Sequence, residues 1–383
     1  MSFLFDECSS LTSLDVSTFS TENVLDMTCM FEDCNLLKEI KTSQFDTSKV
    51  QNMSRMFEGC KQLTSIEVGQ FNTKEVKDMT KMFEYCDSVT SIDVSKFDTS
   101  NVLYMLDMFS ECTKLQYLDV SGFKTHNLKD MAGMFYKCNK LKQLQLSGFD
   151  TKNVEDFSYL FYECNFLSEL DISNFDTRNA NDMSFMFYYC RAIKSIDVSG
   201  FDTSKVTDMS YMFGSCSSLK SLDLSSFDTS NVISMSGMFS ESSDLQDFQL
   251  GNFNTKNVVD MSYMFQKCVW AKNINLESFD TSKVTDMYYM FGGTRLITSI
   301  DVSKFNTAKV TDMAYMFSEC EKITSLDLSK FDTRLVEDMA YMFNDCNSLA
   351  SIDGLTKLDT SQVMDMSFMF NYCNRFNYLD LSG

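Results

Sequence analysis

The stretch SLKSLDLSSFDTSNVISMSGMFSESSDLQDFQLGNFNTKNVVDMSYMFQKC, Ser218–Cys268, states one pattern twice. Its steadiest element is Met-Phe, usually followed three residues later by Cys. That Phe recurs at Phe31, Phe57, Phe83 and onward to Phe343 in steps of 26 residues, with Phe5 before the series and Phe370 after it by one 27-residue step. A fixed period of this length is the signature of a solenoid, in which each unit packs only on its neighbours.

The 383 residues therefore predict one continuous solenoid over 1–383, of about 15 coils, with no linker. The 27-residue repeat falls near 344–370. No Pro occurs, Gly is sparse at 13, and apolar runs are only a few residues long, too short for a membrane span. A net charge of −21 argues against nucleic acid, which calls for a basic stripe, and favours cationic partners. No secretory leader is visible at Met1.

Each unit reads approximately L-x-x-L-D-L-S-x-F-D-T-S-x-V-x-D-M-S-x-M-F-x-x-C. In Leu219–Ser225 the apolar residues are 219, 222 and 224, the leucine-rich-repeat strand spacing, which predicts one long parallel sheet of short strands. Phe-Asp-Thr follows, and its Thr is never replaced from Thr21 to Thr360, as expected of a half-buried hydroxyl bonded to backbone at a turn. The Asp trades with Asn at Asn72, Asn254 and Asn306, so its side-chain oxygen matters more than its charge. Val206, Met209, Met212 and Phe213 have helix spacing, while Val-x-x-Met also fits a second short strand. The expectation is a second row of extended pieces around Val-x-Asp-Met, then short helical turns through Met-Phe-x-x-Cys, capped by Asp or Ser. Of 35 Phe, 28 lie in two columns, which marks them as core.

Thirteen of the 14 Cys occupy the position three after Phe, and Ser242 and Thr294 replace it in two units. Exchange with Ser and Thr points to a small, buried, weakly hydrogen-bonding group. Disulfides between coils are the alternative, although a column with gaps pairs badly. Zinc is disfavoured, because no C-x-x-C pair exists and His126 is the only His.

Acidic residues form three columns. Two, such as Asp228 and Asp208, read as caps. The strand column includes Asp93, Asp119, Asp171, Asp197, Asp223, Asp301, Asp327 and Asp353 and tolerates Lys41 and Gln145, which marks it as solvent-exposed. Like charges about 5 Å apart repel by about 1 kcal/mol in water, which makes this a candidate cation-facing column, with calcium the obvious ion.

The copies differ most two residues before the Met-Phe Phe. There the chain carries Cys29, Arg55, Lys81, Asp107 and Gly133, then Tyr159, Phe185, Tyr211, Gly237, Tyr263, Tyr289, Tyr315, Tyr341 and Phe368. An aromatic stripe favours protein or glycan contact. The alternative is that each ring covers the next coil.

LDLSSFDTSNV (Leu222–Val232) and KVTDMSYMF (Lys205–Phe213) resemble the BspA-like leucine-rich-repeat surface proteins, in the branch whose 26-residue units end in Met-Phe-x-x-Cys. The resemblance implies a right-handed α/β solenoid, display at the cell surface and adhesion to host proteins or other cells, with no catalytic residue. With no leader or anchor visible, the sequence leaves a cytoplasmic location open. The expected function is non-enzymatic: adhesion or protein–protein recognition, or alternatively a scaffold stacking head to tail through uncapped ends. One His, no nucleophile with a base partner and no phosphate-cradling loop leave an enzyme little to work with.

Overall fold

The computed structural model describes residues 1–382. The chain forms two compact units, Met1–Ala180 with Met186–Phe201, and Asn181–Phe185 with Asp202–Gly383. Each repeats the same coil.

In the N-terminal unit the strands are β1 (Ser13–Leu14), β2 (Glu39–Ile40), β3 (Tyr117–Asp119) and β4 (Gln143–Gln145). In the C-terminal unit they are β5 (Ser221–Leu222), β6 (Asp247–Phe248), β7 (Ser325–Asp327) and β8 (Ser351–Asp353). They pair in parallel as β1–β2, β3–β4, β5–β6 and β7–β8, so the described residues hold four two-stranded sheets rather than one long one. The register is one repeat, as in Leu118 opposite Leu144 and Leu326 opposite Ile352. The predicted apolar residues point inward: Leu219, Leu222 and Leu224 are all buried.

The expected second row is present as single parallel bridges. They run Asp26–Asn52–Asp78–Tyr104–Asp130–Asp156 in the N-terminal unit and Asp182–Asp208–Ser234–Asp260–Asp286–Asp312–Asp338–Asp365 in the C-terminal unit.

The expected helical turns do not form. Among the described residues the sole helical piece is a three-residue 3-10 turn at Leu355–Lys357. An α-helix sends every N–H to the carbonyl four residues back. Here alternate N–H groups leave the coil: Met287 donates to Asp312 O, Tyr289 to Ala314 O, Phe291 to Met316 O and Gly293 to Ser318 O, at 2.7–3.1 Å. The amides between them close tight turns, Met290 to Met287 O and Gly292 to Tyr289 O. Left-handed backbone every fourth residue, φ 53 at Tyr289 and 78 at Gly293, swings the chain so that both sets are satisfied. That conformation costs a non-glycine residue about 1–2 kcal/mol. The bonds to the neighbouring coil offset it, since a buried, unpaired amide costs as much or more.

The 27-residue step is absorbed at Gly354, which adopts φ 86 directly after β8. A Cβ there would lie 2.5 Å from Ser329 Cα, so only glycine fits.

The core is built of stacked columns. Rings of the Met-Phe Phe lie 5.5 Å apart at Phe31–Phe57 and 5.6 Å at Phe265–Phe291. From Thr21 to Thr333 the Thr is buried, and it reaches the next coil rather than its own turn. Thr255 Oγ1 donates to Asp280 O at 3.0 Å and accepts the Asp280 N–H at 2.8 Å. One hydroxyl thereby satisfies both backbone groups of one residue in the next coil, which is why nothing replaces it.

The column Cys are free thiols. Cys60 Sγ donates to Phe31 O at 3.1 Å, while the Cys34 N–H fills the other lone pair of that carbonyl at 3.3 Å, and the pattern recurs from coil to coil. Ser242 makes the same bond to Phe213 O. Burial pushes the Cys138 thiol up to about 12.

Candidate functional site

The aromatic column stands on the left-handed position of the Met-Phe turn, with φ 53–58 from Tyr159 to Phe368. This backbone turns each side chain onto the flank of the coil and toward the coil that follows. In the C-terminal unit the rings form a ladder. Phe185 stacks on Tyr211 at 4.9 Å. Gly237 interrupts the column, and the Tyr211 ring fills its place: a Cβ on Gly237 would stand 2.2 Å from that ring. Tyr211 meets Tyr263 across the gap at 6.5 Å. Tyr263, Tyr289 and Tyr315 then meet edge to face at 6.1 and 5.3 Å. Tyr341 stacks on Tyr315 at 4.6 Å and on Phe368 at 4.8 Å.

These rings both cover the neighbouring coil and face solvent. Most are half-buried, and Phe368 is 57% exposed. Burial pushes the Tyr289 hydroxyl up, with Glu319 adding to the effect.

Tyr288 was not foreseen. It sits one residue before the column, lies 5.0 Å from Tyr263 and 5.7 Å from Tyr315, and its hydroxyl is pushed up to about 12 by burial and then by Tyr263. In the N-terminal unit Tyr159 is 37% exposed and lies among Tyr136 and Tyr162, which follow the Met-Phe Phe. Tyr136 and Tyr162 stack at 4.7 Å, and Tyr162 meets Tyr188 at 5.2 Å. The consecutive letters MFYKC, LFYEC and MFYYC carry that signal.

Earlier in the N-terminal unit the same flank is ionic. Arg55 lies 3.3 Å from Glu32 and 3.4 Å from Glu58. Lys81 lies 2.9 Å from Glu84 and 3.6 Å from Asp107. Burial, then Glu84, raises Glu58 to about 7 and Asp107 to about 6.

The strand-column carboxylates Asp93, Asp119, Asp171, Asp197, Asp223, Asp301, Asp327 and Asp353 are exposed. Seven of them serve their own turn: Oδ1 accepts the N–H of the Ser two residues on, at 2.9–3.1 Å. Asp353, followed by Gly354, has no such Ser. The Ser hydroxyl and then its N–H hold Asp197 and Asp327 below the usual carboxylate range. Among the described residues no group of three or more His, Cys, Asp or Glu side chains is placed to hold a metal ion. The other two columns also cap turns, as in Ser230 N–H to Asp228 Oδ1 and Ser210 N–H to Asp208 Oδ1. No helix among the described residues is long and apolar enough to cross a membrane.

Short parallel strands in one-repeat register, buried leucines at L-x-x-L-x-L and a second row of bridges define a leucine-rich-repeat protein. The family follows from the sequence: the model described as "Mycoplasma protein of unknown function, DUF285" matches residues 1–117, 85–196, 190–293 and 268–382, and the chain belongs to that family. Among solved structures, a leucine-rich repeat protein from Bacteroides ovatus is 19% identical, with a TM-score of 0.53, covering 92% of this chain and 75% of its own. A leucine rich cell surface protein from Faecalibacterium prausnitzii is 17% identical, with a TM-score of 0.39, covering 90% and 79%. The Bacteroides protein supports the fold alone. No curated protein matches the chain.

Proposed function

We propose that the chain is a non-enzymatic recognition protein of the BspA-like surface type, displayed outside the cell and binding a protein or glycan partner along the aromatic flank of its C-terminal unit. The observation that carries this reading is the ladder itself. Phe185, Tyr211, Tyr263, Tyr289, Tyr315, Tyr341 and Phe368 are held ring against ring on rigid backbone and still reach solvent. Fixed aromatic rings give up little side-chain entropy on binding and present a large amphipathic area. Leucine-rich-repeat proteins commonly recognise proteins, which agrees with such a surface.

The test is binding of the full chain to immobilised, purified extracellular-matrix glycoproteins. Replacing Tyr289, Tyr315 and Tyr341 together by Ser is expected to abolish binding, while Arg55→Ser with Lys81→Ser on the ionic flank leaves it intact. Circular dichroism verifies that both variants fold. Equal binding by both would move the site off the ladder.

A further inference from the structure

Three residues before the rings runs a second row, Asp260, Asp286, Asp312, Asp338 and Asp365, beside Tyr263, Tyr289, Tyr315, Tyr341 and Phe368. Each Asp commits Oδ1 to the N–H two residues on, at 2.7–2.8 Å. Among the described residues no hydrogen bond uses the second oxygen. The rows bridge coil to coil, so the carboxylates repeat at the parallel-strand separation, about 5 Å, over about 19 Å in four steps. Neither row contains Lys or Arg. Lys267 pairs with Glu241 at 2.9 Å and Arg295 with Glu319 and Glu321, none of them in the Asp row. On the N-terminal unit the ring position itself supplies cations, Arg55 and Lys81, to adjacent carboxylates. In the C-terminal unit rings stand in place of those cations, and Gln266, Gly292, Ser318 and Asn344 stand where Glu32, Glu58 and Glu84 do, so the Asp row is the acidic row left beside the rings.

Resting on the recognition reading, we propose that this flank takes an extended, Arg- or Lys-bearing polypeptide segment, its cationic groups paired with the Asp row and its methylene stems laid along the exposed flank of the ladder. A carboxylate facing Arg or Lys makes a charge-assisted hydrogen bond, and the methylene stem of either side chain packs against the apolar part of the rings. A metal ion does not fit as the counter-charge, because among the described residues no three acidic or other ligating side chains converge. A site five coils long also exceeds a single small cation. The like charges prepare the surface for such a partner: burial, then Asp286 and Asp338 on the flanking coils, lifts Asp312 to about 6.

The probe is a fluorescein-labelled peptide of alternating Arg and Ser, followed by anisotropy with the full chain and compared with the same peptide carrying citrulline for Arg. The combined variant Asp286→Asn, Asp312→Asn, Asp338→Asn is expected to weaken Arg-peptide binding about tenfold or more, as for loss of close charge pairs. Asn keeps the turn, since Asn52 fills this row naturally and accepts the Ser54 N–H at 2.8 Å. The control changes the same net charge on the strand column, Asp223→Asn, Asp301→Asn, Asp327→Asn, and is expected to bind as the wild type does. Binding is also expected to fall as pH drops through about 6, as Asp312, faced by Asp286 and Asp338 and near Tyr263 and Tyr288, takes a proton. Equal loss in both triple variants, or equal binding of the citrulline peptide, overturns the proposal. Matrix binding that depends on the Tyr residues but not on the Asp row overturns it too, while leaving the recognition reading standing.

Discussion

The flank of the N-terminal unit and that of the C-terminal unit share one backbone and carry opposite chemistry. Arg55 and Lys81 sit at φ 57 and 59, Tyr315 and Tyr341 at φ 58. The bonds into the neighbouring coil are alike, Arg55 N–H to Thr80 O at 2.8 Å and Tyr315 N–H to Ala340 O at 2.9 Å. One flank is an ionic network with half-buried carboxylates, the other a stack of rings beside unpaired acids. The conformation is therefore imposed by the inter-coil ladder and not by the side chain. The position is free to vary, which is what a recognition surface on a repeat scaffold requires.

If the frame is common to both units, the largest effect should be the same in each. Phe135→Ala and Phe291→Ala each empty a fully buried site between two stacked rings. Each is expected to cost about 3–5 kcal/mol in urea denaturation. A marked inequality would mean that the two frames differ beneath the flank.

Next come Thr125→Val and Thr255→Val, which leave a part-buried N–H and C=O of the following coil without their partner. About 1–3 kcal/mol is expected from each, by the same measurement.

The stability of the ionic flank should respond to pH through Glu58. Glu58 is held above its ordinary value of 4.5, at about 7, chiefly by burial. A carboxyl raised in the fold favours the protonated form, so its contribution is fully present below about 4.5 and is lost as pH rises through about 7. Glu58→Gln is therefore expected to raise the melting temperature at about pH 8 and to leave it unchanged at about pH 4. A lower melting temperature at the higher pH would show that the Arg55 pair outweighs burial.

The smallest effect belongs to the thiols. Cys112→Ser is expected to be close to neutral, as Ser242 already fills that role, whereas Cys112→Ala loses the bond to Phe83 O and about 0.5–1.5 kcal/mol.

The period, the inward leucines and the aromatic column were all legible in the sequence, because a repeat displays each structural position many times. The Met-Phe segment was not. Val206, Met209, Met212 and Phe213 are spaced as on a helix, yet consecutive tight turns bring the same residues inward. The discriminating signal was negative: neither Tyr211 and its equivalents nor the residues four further on, such as Ser215 and Glu241, are ever Val, Ile or Thr. β-branched residues are the least tolerant of left-handed backbone. The strand Asp looked like a solvated charge because Lys41 and Gln145 share its column. Its recurrent D-x-S, as at Asp197 and Ser199, was the trace of a turn. Tyr288 and Tyr162 escaped notice because they belong to columns that are mostly not aromatic.

The doubly occupied Phe carbonyl has a practical consequence. Because the interior column thiols, such as Cys60, Cys112 and Cys164, are locked onto the preceding coil and fully buried, an alkylating reagent reaches them only when that coil parts from its neighbour. The cysteines thus form a row of local opening reporters at repeat-length intervals, blank at Ser242 and Thr294. Labelling rates resolved by peptide mapping would read out, without any mutation, where the protein begins to come apart.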